Sequence, residues 1–310
     1  MTSVTLEKFV ADLGDESKPL KHAGLLQLTS LESEDVFGFR SAWVDLAKSR
    51  KTEILGKLVE LGENNMELDF SAIFRVCLND EDEDVRELAT RGLWECDDRV
   101  VVRPLIGLLK NDPSEKVRAA AALSLSKFSS MAQDGKLLGR DADRVRDALL
   151  NVVGKQDENI EVRRRAIEAV SCFNTPEIEG IVREAYGSEN PRLRQSAICA
   201  MGKSADSQWL GTVLKETRHE DPAMRFEAAN ACGLLGDETI VPHLISLFND
   251  DDIEVQVAAV QALGQIGGQL ARRALQKAVK TGDETVEEAA QAALAEIEFD
   301  EDPLGFRFQS

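Results

Sequence analysis

Three histidines and five cysteines are the residues of this 310-residue chain best equipped for metal or nucleophilic chemistry, and their spacing points away from both. His22, His219 and His243 stand far apart, and the single His-Glu dipeptide, His219-Glu220, lies in a polar stretch that reads as a turn. That is too little imidazole for a transition-metal centre. His243 reads as an exposed or partly packed residue of a helix rather than a ligand. Cys77, Cys96, Cys172, Cys199 and Cys232 are odd in number, sit inside helical patterns and include no C-x-x-C pair. They are expected to be reduced thiols of the core rather than disulfides or zinc ligands. The chain has no G-x-x-x-x-G-K-[ST] phosphate loop and no G-x-S-x-G elbow. Gly264-Gln265-Ile266-Gly267-Gly268 reads as a helix end, where glycine supplies the turn. The residues therefore predict no catalytic group, no metal and no cofactor.

Charge narrows the partners. A net charge of −19 repels phosphate backbones and anionic membrane surfaces, whose binding draws on Lys and Arg. No apolar run approaches the roughly 20 residues that span a bilayer, and the start MTSVTLEKFVADLGDESK lacks a basic segment followed by an apolar cleavable one. The expectation is a cytoplasmic protein whose partner is another protein or peptide, with no nucleic acid and no membrane.

The elements that would position a binding surface follow from one repeated step. Val85-Arg86, Val117-Arg118, Val162-Arg163, Leu193-Arg194, Met224-Arg225, Val255-Gln256 and Val286-Glu287 recur at intervals of 32, 45, 31, 31, 31 and 31 residues. Four residues after each of these apolar anchors comes an alanine: Ala89, Ala121, Ala166, Ala197, Ala228, Ala259 and Ala290. A small residue and then an apolar one follow at plus seven and plus eight, which completes the stripe of an amphipathic helix. The alanine column predicts close approach of neighbouring helices. A first helix precedes each of these, most clearly at Pro104–Leu109 and Pro242–Phe248. Between the two helices, Asp112-Pro113-Ser114, Asn190-Pro191 and Asp221-Pro222 offer an Asp or Asn cap with proline at the first helical position. A period of this length marks a stacked array in which no unit buries its apolar face alone.

Phrases such as DPSEKVRAAAALSL, NPRLRQSAICAMG, DPAMRFEAANACGLLGD and DIEVQVAAVQALGQIG resemble HEAT repeats, in particular the short phycobilisome-lyase-like kind. The resemblance implies an all-α, right-handed superhelix (solenoid) of about nine antiparallel helix pairs. It further implies that the Asp-to-Arg pairs six residues apart, Asp80/Arg86, Asp112/Arg118 and Asp157/Arg163, form a structural ladder between repeats. That ladder is interrupted in sequence at Ser188/Arg194 and His219/Arg225, and its arginine is lost at Gln256 and Glu287. HEAT-like folds also include a di-iron hydroxylase, which would need paired His-Glu dipeptides at the starts of second helices. Here Phe226 stands where a ligand His would be. HEAT-like DNA glycosylases need a basic groove, which this charge opposes. A bilin-lyase-like accessory enzyme, or a chaperone of a cofactor-binding protein, is the nearest enzymatic alternative to a non-catalytic scaffold.

Residues 68–298 carry the array. Residues 1–67 read as two degenerate capping pairs, with Leu20-Lys21, Gly24, Leu28 and Leu31 keeping the repeat pattern. Residues 129–141 read as an insertion forming an extended loop on one edge or a loop that contacts a partner, and 299–310 as an acidic and aromatic tail that covers the last repeat with Phe306 and Phe308 or hangs free as a short docking peptide. The resemblance implies that second helices line the inner face, with positions two, six and nine after the anchor pointing away from the core. On them fall Trp94, Leu123, Arg164, Glu168, Phe226, Asn230, Val257 and Gln261, a mixed strip suited to a protein partner.

Overall fold

The computed structural model describes residues 3–65, 67–281 and 283–301, and all of its regular elements are helical. The chain forms two compact units, Met1–Ala169 and Val170–Ser310.

The first unit holds α1 (Ser3–Leu13), α2 (His22–Leu25), α3 (Ser33–Trp43), α4 (Lys48–Asn64), α5 (Ser71–Cys77), α6 (Glu83–Arg91), α7 (Val102–Asn111), α8 (Glu115–Gln133) and α9 (Gly139–Val153), with α10 (Ile160–Val170) ending at its boundary. Here α4 packs on α6 and α6 on α8, while α5 and α7 back them. The second unit holds α11 (Pro176–Tyr186), α12 (Pro191–Lys203), α13 (Leu210–Glu216), α14 (Pro222–Leu235), α15 (Val241–Ser246), α16 (Ile253–Ile266), α17 (Gly268–Thr281) and α18 (Glu284–Glu301). Its even-numbered helices pack one on the next from α12 to α18, with the odd-numbered helices behind them.

Every sequence anchor falls on an even-numbered helix. Val85, Val117, Val162, Met224, Val255 and Val286 are at most 2% exposed, and Leu193 is 8% exposed. The alanine column is fully buried at all seven positions. A neighbouring column shows how close the helices come. An added Cβ on Gly202 would stand 2.6 Å from the Ala231 Cα, and one on Gly233 would stand 2.9 Å from the Ala262 Cα. These glycines occupy the plus-nine position that the repeat pattern assigned to the outward face. Both are buried instead, because α12 packs on α14 and α14 on α16 through them.

This geometry separates two otherwise identical substitutions. Glycine to alanine in a helix interior gains about 1 kcal/mol of propensity, and at Gly56 nothing lies within 4 Å of the new methyl. Gly56→Ala is expected to raise the denaturation midpoint. At Gly202 the methyl meets backbone, where overpacking costs typically about 1–3 kcal/mol and the closeness of the contact places it at the upper end. Gly202→Ala is expected to lower the midpoint, and urea titration of the two variants checks both signs.

Several boundaries differ from the sequence expectation. The insertion is not an extended loop: Ser129–Gln133 continue α8, the break is confined to 134–138, and α9 starts at Gly139. Ser, Met, Ala and Gln hold no helix breaker, whereas Gly135 adopts φ +70° and turns the chain, with Leu137 buried behind it. The stretch around Leu20–Leu31 is not a second helix of the repeat. It forms the four-residue α2 and a single 3₁₀ turn (Leu26–Leu28), ending at Ser30 with φ +50°. Arg50, 3% exposed, fixes the segment before it by donating to the carbonyls of Leu13, Asp15 and Lys18 at 2.5, 2.9 and 2.6 Å. Asn190 and Asp221 cap α12 and α14 with proline behind them, as the turns suggested. Asp112 does not cap α8, which begins three residues later, at Glu115, with Ser114 at its N-cap. Phe299 belongs to α18, and the tail readings on Phe306 and Phe308 lie outside the described residues.

Candidate partner-binding surface

Trp94 is the one tryptophan with substantial exposure, at 45%, against 3% for Trp43 and Trp209. Its position follows from where α6 stops. The helix ends at Arg91 with Gly92 as its C-cap, so Trp94 lies beyond the helix instead of on its flank. Glycine is required there by packing: an added Cβ on Gly92 would stand 2.3 Å from the Phe74 ring. Phe74, 3% exposed, thereby becomes part of the floor of an open groove of about 830 Å³. Leu58 and Val59 of α4, Phe70, Phe74 and Trp94 give the groove apolar walls. Glu63, Asp69, Glu95, Asp97 and Asp98 line it with exposed carboxylates, opposed by Arg75. Glu95 also meets Lys127 at 2.6 Å. An exposed indole beside an acidic rim recognises an apolar side chain flanked by cations, through burial and long-range attraction.

The remaining strip residues divide. Leu123, Phe226, Asn230 and Val257 are half-buried, and Gln261 is exposed. Phe226 and Asn230 lie on α14, and Val257 and Gln261 on α16, which packs against it. Glu168 does not face outward: it is 4% exposed and accepts from Arg164 and Arg165, each at 3.0 Å. Arg164 also bonds Glu161 at 2.6 Å, so this pair is engaged within α10 rather than offered to a partner. None of these seven lines the groove beside Trp94. The sequence pattern found Trp94 as a departure from its column but missed Leu58, Phe70 and Phe74, which come from outside the anchor helices.

Three arginines, Arg86, Arg118 and Arg225, bridge successive repeats, but through carboxylates other than those six residues before them. Arg86 donates through Nη1 to the carbonyls of Asp80 and Glu81 at 2.9 and 3.0 Å, and clamps the Asp112 carboxylate of the following repeat at 2.8 and 3.0 Å. Arg118 holds the carbonyls of Asp112 and Pro113 and reaches Glu158 at 2.7 Å. Arg225 holds those of His219 and Glu220 and forks onto Asp250 at 2.7 Å twice. The residue six before each arginine thus supplies a carbonyl, and the carboxylate comes from the next turn. Asp157 is exposed, Glu158 takes its place, and Arg163 keeps its Nε buried without a partner. Asp80 is instead held by Lys51 at 2.9 Å and the Trp43 indole at 3.0 Å. Gln256 reproduces only the carbonyl contact, donating to Asp250 O at 2.6 Å, and Glu287 accepts from Gln291.

These contacts have a pH signature. The Arg225 fork holds the Asp250 carboxyl below its ordinary value, against the opposing pull of burial. Burial also raises Asp80, but the Asp82 amide, Lys51 and Trp43 outweigh it and leave that carboxyl lowered. A depressed carboxyl contributes stability in full above the unfolded-state value of about 3.9 and loses it as pH falls through the folded-state value. Stability is therefore expected to drop on acidification below about pH 4, and Asp250→Asn is expected to flatten that limb while lowering stability at pH 7. Urea midpoints from pH 7 to pH 2 check the slope.

Among the described residues no group of three or more His, Cys, Asp or Glu is placed to hold a metal ion, and no helix is long and apolar enough to cross a membrane. All five cysteines are free, and burial pushes the Cys232 thiol up to about 12.

No curated protein matches the sequence significantly. Among solved structures, the complex of CpcE and CpcF of phycocyanin lyase from Nostoc sp. PCC7120 is similar with a TM-score of 0.56 and 14% identity, over 91% of this chain and 97% of that chain. Yeast importin-beta (Kap95p) aligns with a TM-score of 0.51 and 15% identity over 97% of this chain, which spans 47% of the importin chain. Human deoxyhypusine hydroxylase aligns with a TM-score of 0.38 and 18% identity over 96% of this chain and 98% of that one. At these identities the likeness is one of fold. The family model described as HEAT repeats matches residues 71–152 and 207–295, more than half of the chain, on the same buried anchor and alanine columns described above. By that match and by the stacked helix pairs it covers, the chain belongs to the HEAT repeat family.

Proposed function

We propose that this protein is a non-catalytic scaffold that binds a segment of another protein in the groove beside Trp94. The carrying observation is the exposed Trp94 ring on a groove of about 830 Å³ whose rim is acidic. Buried aromatics dominate binding energy, and tryptophan is the residue most enriched among such anchors. The matching occupant is a segment with one apolar side chain flanked by Lys or Arg. The net charge of −19 adds attraction at distance and weakens as salt is added. A location in the reducing cytoplasm fits the five free thiols.

Selection from a random peptide library on the immobilised chain tests this. Recovered sequences are expected to centre an apolar residue between basic ones and to be lost on Trp94→Ala. Recovery of acidic or featureless sequences, or equal recovery by the variant, would overturn the reading. The phycocyanin lyase likeness brings no residue of this chain toward a tetrapyrrole, so mixing with free bilin is expected to leave its absorbance spectrum unchanged.

A further inference from the structure

The arginine ladder has a gap in the second unit, and the gap retains the donors of a rung while lacking its acceptor. Arg194 anchors itself as Arg86, Arg118 and Arg225 do, through Nη1 to two turn carbonyls, here Ser188 and Glu189 at 3.1 and 3.3 Å. Counting forward, Arg86 meets its carboxylate 26 residues on, at Asp112, and Arg225 meets its own 25 residues on, at Asp250. Twenty-five residues after Arg194 the chain has His219. Among the described residues, no carboxylate is bonded to the remaining N–H groups of the Arg194 fork.

His219 keeps one half of the missing aspartate's work. Asp112 and Asp250 each accept a turn amide two residues on, from Ser114 and Asp252, at 2.9 and 3.0 Å. His219 accepts the Asp221 amide at Nδ1 in the same way, at 2.9 Å. An Nδ1 that accepts leaves the proton of a neutral imidazole on Nε2. The residue that occupies the aspartate's place in the count therefore carries a donor. Arg194 and His219 line one cavity of about 440 Å³, together with Tyr186, Lys215 and Met224. Glu216 lines the same cavity and is engaged there, accepting the Tyr186 hydroxyl at 2.5 Å with Lys215 Nζ at 3.5 Å. Glu189, also on the cavity wall, is exposed.

We propose that the cavity between Arg194 and His219 is a carboxylate-binding site, which takes an Asp side chain from a partner polypeptide in the place that Asp112 and Asp250 fill on the complete rungs. A planar carboxylate matches the guanidinium fork, as it does at Arg225. The imidazole N–H supplies a further donor. This site is independent of the Trp94 groove, and its chemistry is the reverse: it receives an acid where the groove receives cations.

The test is a nuclear magnetic resonance titration of the full chain with N-acetyl-aspartate N-methylamide, following the Arg194 Nε–H and His219 ring signals. The asparagine analogue and inorganic phosphate serve as separate arms. Saturable shifts at both residues are expected with the aspartate compound, and none with the asparagine analogue. His219→Asp is expected to complete the rung, raise the melting temperature by several degrees and abolish the Arg194 response. Arg194→Gln, which keeps a carbonyl contact of the kind Gln256 makes, is expected to fold and to lose the His219 response. Shifts of equal size with the asparagine analogue, a response surviving in either variant, or tighter binding of phosphate than of the aspartate compound would overturn the assignment.

Discussion

Arg225→Ala will cost about 3 kcal/mol of stability at neutral pH, the low end of what breaking a buried ion pair costs, since its partner is left behind. Both side chains are largely covered, at 16% exposure for the arginine and 7% for Asp250. The fork makes two short bonds to the carboxylate and two to the turn carbonyls of His219 and Glu220, so one truncation leaves three acceptors without a donor and Asp250 Oδ1 with the Asp252 amide alone. Arg225→Lys keeps the charge but not the planar fork and is expected to recover only part of the loss. Arg225→Gln is expected to lie between them, because Gln256 shows that a neutral amide reaches the turn carbonyl alone. Calorimetry gives the total, and hydrogen exchange is expected to place the loss at the α14 and α16 turns first. A loss below about 0.5 kcal/mol would mean that the ladder behaves like an exposed surface pair.

Trp94→Ala will weaken capture of a basic, apolar-anchored peptide about 30-fold, which corresponds to about 2 kcal/mol, while lowering the melting temperature by only about 2–4 degrees. The asymmetry follows from exposure. With 45% of its surface already in water, Trp94 contributes less to the fold than a buried ring would, whereas a partner would cover the rest. Gly92→Ala approaches the same site from below: its new methyl displaces the Phe74 ring, so both binding and stability are expected to fall. Loss of melting temperature in Trp94→Ala without loss of binding would assign the ring to packing.

The residues that could be read from the sequence are those whose role repeats. The anchors and the alanine column recur every 31 residues in most units, so each repetition restates the same buried position, and all seven alanines are indeed buried. The ladder was half legible. The six-residue spacing is visible because each arginine reaches back to its own turn's carbonyl, but the carboxylate arrives from the neighbouring repeat, about 25 residues away in two rungs and 40 in the one that spans the insertion. Only packing sets that register. The plus-nine column was misassigned for a related reason: glycine without a side chain looks solvent-tolerant in sequence, yet at Gly202 and Gly233 it marks where two helices touch. The Trp94 groove needed α4 and α5, where the repeat pattern is faintest, and Glu168 looked outward because helical phase alone does not show Arg164 and Arg165 folding over it.

Trp94 also supplies the most direct measurement. With Trp43 and Trp209 buried, the exposed indole dominates fluorescence that responds to added quencher. Two synthetic peptides with the same leucine-centred core, one flanked by lysine and arginine and the other by aspartate and glutamate, are titrated into the native chain in the presence of acrylamide. The basic peptide is expected to shift the emission to the blue and protect it from quenching, saturably and less strongly at higher salt, while the acidic peptide leaves it unchanged. Unaltered quenching at saturating basic peptide, or equal protection by both peptides, would contradict the groove as the binding site.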